Sequence, residues 1–117
     1  MNFKPTDIAS HYTKIQIETA SRPKQISMLH NKCVGLIKLA RKEKESPQKR
    51  VLLDKAQNIL VQFQSALRME DELSNSLYYL YDYSYLLLEH GSEENCRIAI
   101  DIMAVLQETF NKLLLKL

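Results

Sequence analysis

Apolar residues recur along this chain at helical spacing, in stretches separated by few breakers. Ile26, Leu29, Cys33, Leu36, Ile37 and Ala40 share one face of a helix of 3.6 residues per turn. Leu52, Ala56, Ile59, Leu60, Phe63 and Leu67 share another, and Ala99, Ile102, Met103, Leu106, Phe110, Leu113 and Leu117 a third. Lys and Glu lie largely opposite, which makes these faces core. Ser21-Arg22-Pro23 and Ser46-Pro47 each offer a capping hydroxyl followed by an early-turn proline, so Ser21 and Ser46 are expected as N-caps. Gly91-Ser92-Glu93-Glu94 combines a left-handed C′ glycine, a capping serine and two carboxylates suited to a helix start.

No Gly or Pro divides the long stretch from Pro47 to His90, which as one helix would run about 65 Å at 1.5 Å per residue. A compact chain of this size has a radius of gyration of only about 13–14 Å. The apolar stripe also slips by roughly 70° between Phe63–Leu67 and Leu73–Leu77, and Glu70-Asp71-Glu72 suits a new helix start. The break is therefore expected near Arg68–Glu70. Four helices with short connections predict an all-α, antiparallel up-down-up-down four-helix bundle over residues 21–117. Residues 1–20, with Pro5, Ile8, Tyr12, Ile15 and Ile17, form an N-terminal arm or short helix expected to fold back on it.

The third helix carries more apolar surface than such a bundle can bury. Leu73, Leu77, Leu80, Ser84 and Leu87 make its inward stripe, flanked by Tyr81 and Leu88 on one side and Tyr83 on the other. Tyr78 and Tyr85 are expected to point away from the core, and Tyr79 and Leu86 to sit on the opposite shoulder. Apolar or aromatic groups cover roughly 280° of this helix. A member of a four-helix bundle exposes about half its surface, so something else must cover it: the arm on one shoulder, a partner on the other. Tyrosine suits that task, since the ring buries a large area while its hydroxyl tolerates water. The residues expected to take part in partner binding are Tyr12, Ile15, Ile17, Tyr78, Tyr81, Tyr83, Tyr85 and Leu86.

Composition narrows the function classes. The chain has 117 residues, enough for one domain, with 45% hydrophobic and 26% charged residues. Two glycines and three prolines are too few for an all-β fold. A net charge of +2 does not suit a protein that lives on nucleic-acid phosphates. The basic stretch from Arg41 to Arg50 is diluted by Glu43 and Glu45 and reads as a solvated connection. No apolar run reaches the roughly 18 residues of a membrane span, and the first residues carry no apolar segment of a secretory leader. Cys33 and Cys96 stand alone, as expected of a reduced, cytosolic protein. His11, His30 and His90 are scattered, His30 with Cys33 has no further ligand, and Gly35 and Gly91 are isolated. No enzyme activity, metal site or cofactor is expected.

The motifs resemble those of the flagellar export chaperone FliS family. Tyr12, Gln16-Ile17 and Thr19-Ala20-Ser21 resemble the Tyr, Gln-Val and Thr-Ala-Ser-Pro that open that family's first bundle helix. Met28-Leu29 sits where the family has Met-Leu-Tyr, and Lys55-Ala56 resembles a pair in its second helix. Ser65-Ala66-Leu67-Arg68-Met69-Glu70 resembles its Ser-Leu-Asp-Met-Glu turn, and Leu77–Tyr83 its Asn-Leu-x-x-Leu-Tyr-Asp-Tyr. The likeness runs over about residues 12 to 112. Departures are Arg22, which displaces the proline by one position, His30-Asn31 for Tyr-Asp, Arg68 for the turn aspartate, Ser76 for Asn, and Leu86-Leu87 for basic residues. The glycines common after the Met-Glu turn are also missing.

The resemblance implies a cytosolic chaperone that holds the disordered C-terminal segment of flagellin, prevents premature polymerisation and delivers it to the membrane export gate of the type III system. Partners would be flagellin and that gate, with no nucleic acid and no membrane insertion. A homodimer in the client-free state would bury the same strip. The rival reading is a helical adaptor that self-associates through the tyrosine strip and has no export client.

Overall fold

A computed structural model of the chain describes residues 22–67 and 72–114. They form four helices, with no strand among the described residues: α1 (Arg22–Lys42), α2 (Ser46–Ala66), α3 (Glu72–His90) and α4 (Glu93–Leu114). The first 21 residues, and with them the expected arm and Tyr12, Ile15 and Ile17, lie outside the described part.

The helix ends follow local chemistry. Ser46 is not the N-cap of α2; Glu45 is, in extended conformation (φ −91°, ψ 127°), with no side-chain cap bond. Ser46 is already helical and Pro47 follows it, still within the first turn, where a missing N–H has no intrahelical partner to lose. The backbone carbonyl of Glu45 accepts from Lys49 N at 3.1 Å. At the far end Leu67 is extended (φ −75°, ψ 137°) and its N–H donates to Gln64 O. The stretch from Pro47 to His90 is thus two helices, and residues 68–71 between them lie outside the described part.

Between α3 and α4, Gly91 takes φ 67° and its N–H donates to Leu87 O at 3.0 Å. A side chain here would be strained by that φ and would crowd Leu53 Cδ1 at 3.0 Å. Ser92 Oγ then accepts from Asn95 N at 3.1 Å, the expected capping bond.

Each helix packs side by side with two neighbours, α1 and α3 both lying between α2 and α4. Across the α2–α3 seam, Arg50 meets Leu88 and Glu89, Gln57 meets Tyr85 and Glu89, and Gln64 meets Tyr78. Across α1–α4, Arg41 bonds Glu93 and Asn31 accepts from Gln107. The core between the four helices holds Cys33 and Ile37 of α1, Leu53, Ala56 and Leu60 of α2, Leu88 of α3, and Cys96, Ala99 and Met103 of α4. Leu53 and Cys96 join the stripes read from the sequence, whereas Leu52 is only half-buried.

At the centre lies an unexpected buried histidine. His30 is fully buried and stacks on Phe63 at 4.3 Å, and Phe63 stacks on Tyr81 at 5.1 Å. His30 Nδ1 lies 3.0 Å from Ile26 O. That carbonyl can only accept, so Nδ1 carries the proton and Nε2 accepts from the Tyr81 hydroxyl at 3.0 Å. Burial lowers the His30 pKa to about 4, only partly offset by the Ile26 carbonyl.

Two outcomes follow. The unfolded chain binds a proton at His30 below about pH 6.5 and the native chain only near pH 4. This histidine's contribution, on the order of 3 kcal/mol, is therefore complete above pH 6.5 and is lost as pH falls towards 4. Denaturant titrations of wild type and His30→Gln over that range should show a shallower pH dependence in the variant. Separately, Gly35 sits inside α1, and a Cβ built there meets nothing within 4 Å. Gly35→Ala should stabilise the fold by about 0.5–1 kcal/mol, read as a rise of several degrees in thermal midpoint.

Candidate functional site

Tyr81 is 1% exposed, which removes it from the residues available to a partner. Its ring is held by Phe63 and its hydroxyl by His30, and burial raises its pKa. Seating Tyr81 inside turns α3 by roughly 40° from the orientation read off its leucines, at 100° per residue. Leu77, Tyr81, Ser84 and Leu88 now point inward, while Leu80, expected inside, is 39% exposed.

The same rotation brings the opposite flank down onto α2. Tyr78 and Tyr85, expected to point outward, are half-buried, and Tyr85 packs against the core. Three α2 residues seven apart hold this flank. Gln64 Nε2 donates to Tyr78 O, and Gln57 Nε2 donates to Tyr85 O and to Glu89 Oε2 at 2.8 Å. Arg50 Nη1 donates to Leu88 O and Glu89 O, satisfying carbonyls that the end of α3 leaves free, and Nη2 donates to Gln57 Oε1.

What remains uncovered is the other side. Tyr79 (71% exposed), Tyr83 (50%) and Leu86 (58%) are spaced i, i+4 and i+7, so they line one face of α3. Leu80 borders them on the α4 side, where Val105 is 62% exposed. Between the helices an open groove of about 250 Å³ is lined by Leu80, Asp101, Ile102, Val105 and Leu106. Five large apolar residues on one side of a small domain exceed the scattered exposure normal for a monomer.

Of the expected partner-binding residues, the structure thus leaves Tyr83 and Leu86 on this strip, half-buries Tyr78 and Tyr85 on the other flank, and puts Tyr81 in the core. Tyr79, Leu80 and Val105 were absent from that set. The sequence places Tyr79 on an outward shoulder of α3, and its i, i+4, i+7 spacing with Tyr83 and Leu86 is the signal that joins it to them. Leu80 could be found only once the turn of α3 was known.

Reactive chemistry is scarce elsewhere. Cys33 is fully buried, donates weakly to Ala56 O, and has its thiol pushed up to about 12 by burial. Such a thiol is inert. Cys96 is likewise buried and its pKa raised, first by desolvation. Among the described residues no group of three or more His, Cys, Asp or Glu side chains could hold a metal ion. No helix among them is long and apolar enough to cross a membrane.

No curated protein matches the chain. A match does span residues 5–114, to the family of the flagellar protein FliS, and takes in all four helices. On that match, and with the four-helix architecture it accompanies, the chain belongs to the FliS family of flagellar proteins.

Proposed function

We propose that this protein is a cytoplasmic export chaperone that binds the disordered C-terminal segment of flagellin, keeps it from polymerising and passes it to the flagellar type III export apparatus. Membership of the FliS family supports a chaperone role in flagellum biogenesis. The observation that carries the finer reading is the uncovered strip of Tyr79, Leu80, Tyr83 and Leu86 beside the apolar α3–α4 groove. An amphipathic segment laid along it would bury apolar side chains at helical spacing and form its own backbone hydrogen bonds as it orders. Ordering a disordered client costs free energy on binding, so affinity per unit area stays modest and release remains accessible.

In this reading the bundle of residues 21–117 is antiparallel, up-down-up-down. It is supported by seams in which residue numbers climb on one helix as they fall on the next, as from Arg50–Leu88 to Gln64–Tyr78. Residues 1–20 act as an arm on the bundle, with Tyr12, Ile15 and Ile17 contributing to the client site. Delivery to the export gate occurs with the client bound.

A labelled peptide of the flagellin C-terminal segment tests the proposal by fluorescence anisotropy. Replacing Tyr83 and Leu86 together by Ser should weaken binding about 30- to 700-fold, since buried anchors of this size are worth on the order of 1–2 kcal/mol each and every 1.4 kcal/mol or so is tenfold. The thermal midpoint should barely move, because both side chains are exposed. Tyr81→Phe should do the reverse, costing about 1–3 kcal/mol of stability by leaving a buried His30 nitrogen without its donor, with affinity kept where the protein is folded. Unchanged affinity in the Tyr83/Leu86 variant, or an obligate dimer indifferent to the peptide, would reject the chaperone reading.

A further inference from the structure

We propose that the outward face of α1 is a second docking surface, separate from the client strip, and that its occupant is an acidic helical segment of another polypeptide. The first observation is charge. Arg22, Lys24, Lys32, Lys38, Arg41 and Lys42 all belong to α1, and no Asp or Glu does. The chain totals only +2, so the remainder is net negative and this one helix carries the positive surplus. Arg41 is engaged with Glu93 of α4, but Lys24, Lys32, Lys38 and Lys42 are exposed and form no ion pair among the described residues.

The second observation is independent of charge. Gly35 lies mid-helix, where glycine weakens a helix, and its missing side chain makes room for nothing inside the molecule. A local choice that works against folding without an internal gain points to a use outside the fold. Lys24, Met28, Lys32, Gly35, Leu39 and Lys42 are spaced four, four, three, four and three apart, the repeat that one helix offers to another laid along it. Leu39 on this stripe is 53% exposed and Met28 half-buried. A partner helix could thus approach closely at Gly35, seat an aliphatic side chain between Met28 and Leu39, and set carboxylates against the flanking lysines.

Other occupants fit less well. A nucleic acid gains little from an aliphatic anchor or a glycine notch, and the net negative remainder of the chain repels it. The chain's own arm balances Lys4 and Lys14 against Asp7 and Glu18 and brings no acidic surplus. α1 packs side by side with α2 and α4 and meets α3 across the core, where His30 bonds Tyr81, so its outer face and the exposed strip of α3 belong to different sides of the ring.

The test uses the full chain and a synthetic labelled helical peptide with Glu residues flanking a leucine stripe, beside a twin carrying Gln for every Glu. The acidic peptide should bind at least tenfold more tightly than its twin, and salt should weaken it. Lys38→Glu with Lys42→Glu should reduce binding at least tenfold. Gly35→Gln should also reduce it about tenfold, with a thermal midpoint no lower than wild type, since its Cβ meets no neighbour. Flagellin-peptide affinity should stay unchanged in both variants, so this surface and the α3 strip stand or fall separately. Three results would overturn the proposal. One is acidic-peptide binding that is absent or indifferent to Gly35→Gln. Another is an oligonucleotide that binds as tightly and is lost with the same lysines. The last is a self-associated chain in sedimentation velocity that Lys42→Glu dissociates.

Discussion

The hydrogen bond between Tyr81 and His30, stacked over Phe63, decides how α3 sits and therefore which of its side chains meet solvent. A phenol and an imidazole can both be buried only if each supplies what the other lacks, because an unpaired polar atom in the core costs about as much as several methylenes contribute. Here Ile26 O holds the imidazole proton on Nδ1, so Nε2 is free to accept from the phenol. No buried side-chain polar atom among the described residues is left without a partner. Three helices are tied at one point by this arrangement, since His30, Phe63 and Tyr81 come from α1, α2 and α3.

A ring of four helices has no central member, so a helix that is apolar nearly all round cannot be buried by the ring alone. Turning α3 to seat Tyr81 leaves two flanks that are treated differently. The flank towards α2 is closed by Arg50, Gln57 and Gln64, whose donors reach backbone carbonyls of α3. The flank towards α4 has no such polar ladder among the described residues; it is open and apolar, and Tyr79, Leu80, Tyr83 and Leu86 stay uncovered there. The surface proposed for the client thus follows from how the core is satisfied, and the tyrosines of one helix divide into core, seam and surface on that account. On another helix, α1, the outward face is dominated by lysines and interrupted by a glycine, a chemistry unlike that of the α3 strip.

Much of this was legible in the residues alone. Periodic apolar positions located four helices, because a stripe at 3.6-residue spacing has no other compact use. Gly91 and Ser92 marked the α3–α4 turn through conformational and capping requirements that are local. A break near Arg68–Glu70 was legible from the slipped stripe, since a compact chain of this length does not accommodate one helix from Pro47 to His90. The two helices end at Ala66 and begin at Glu72. The motifs from Tyr12 to Tyr83 pointed to the FliS family, and membership is borne out over residues 5–114.

What tertiary structure decided was rotation and partnership. A helical wheel ranks faces by apolarity, and on α3 nearly every face scores alike, so Leu80 and Tyr81 exchanged places once a histidine 51 positions away offered a hydrogen bond. Tyr78 and Tyr85 were drawn towards α2 for a similar reason, because glutamines on a neighbouring helix seek backbone acceptors at that flank. Local spacing determines that a segment is helical and greasy. Which side of it faces water depends on polar groups brought together only when distant segments pack.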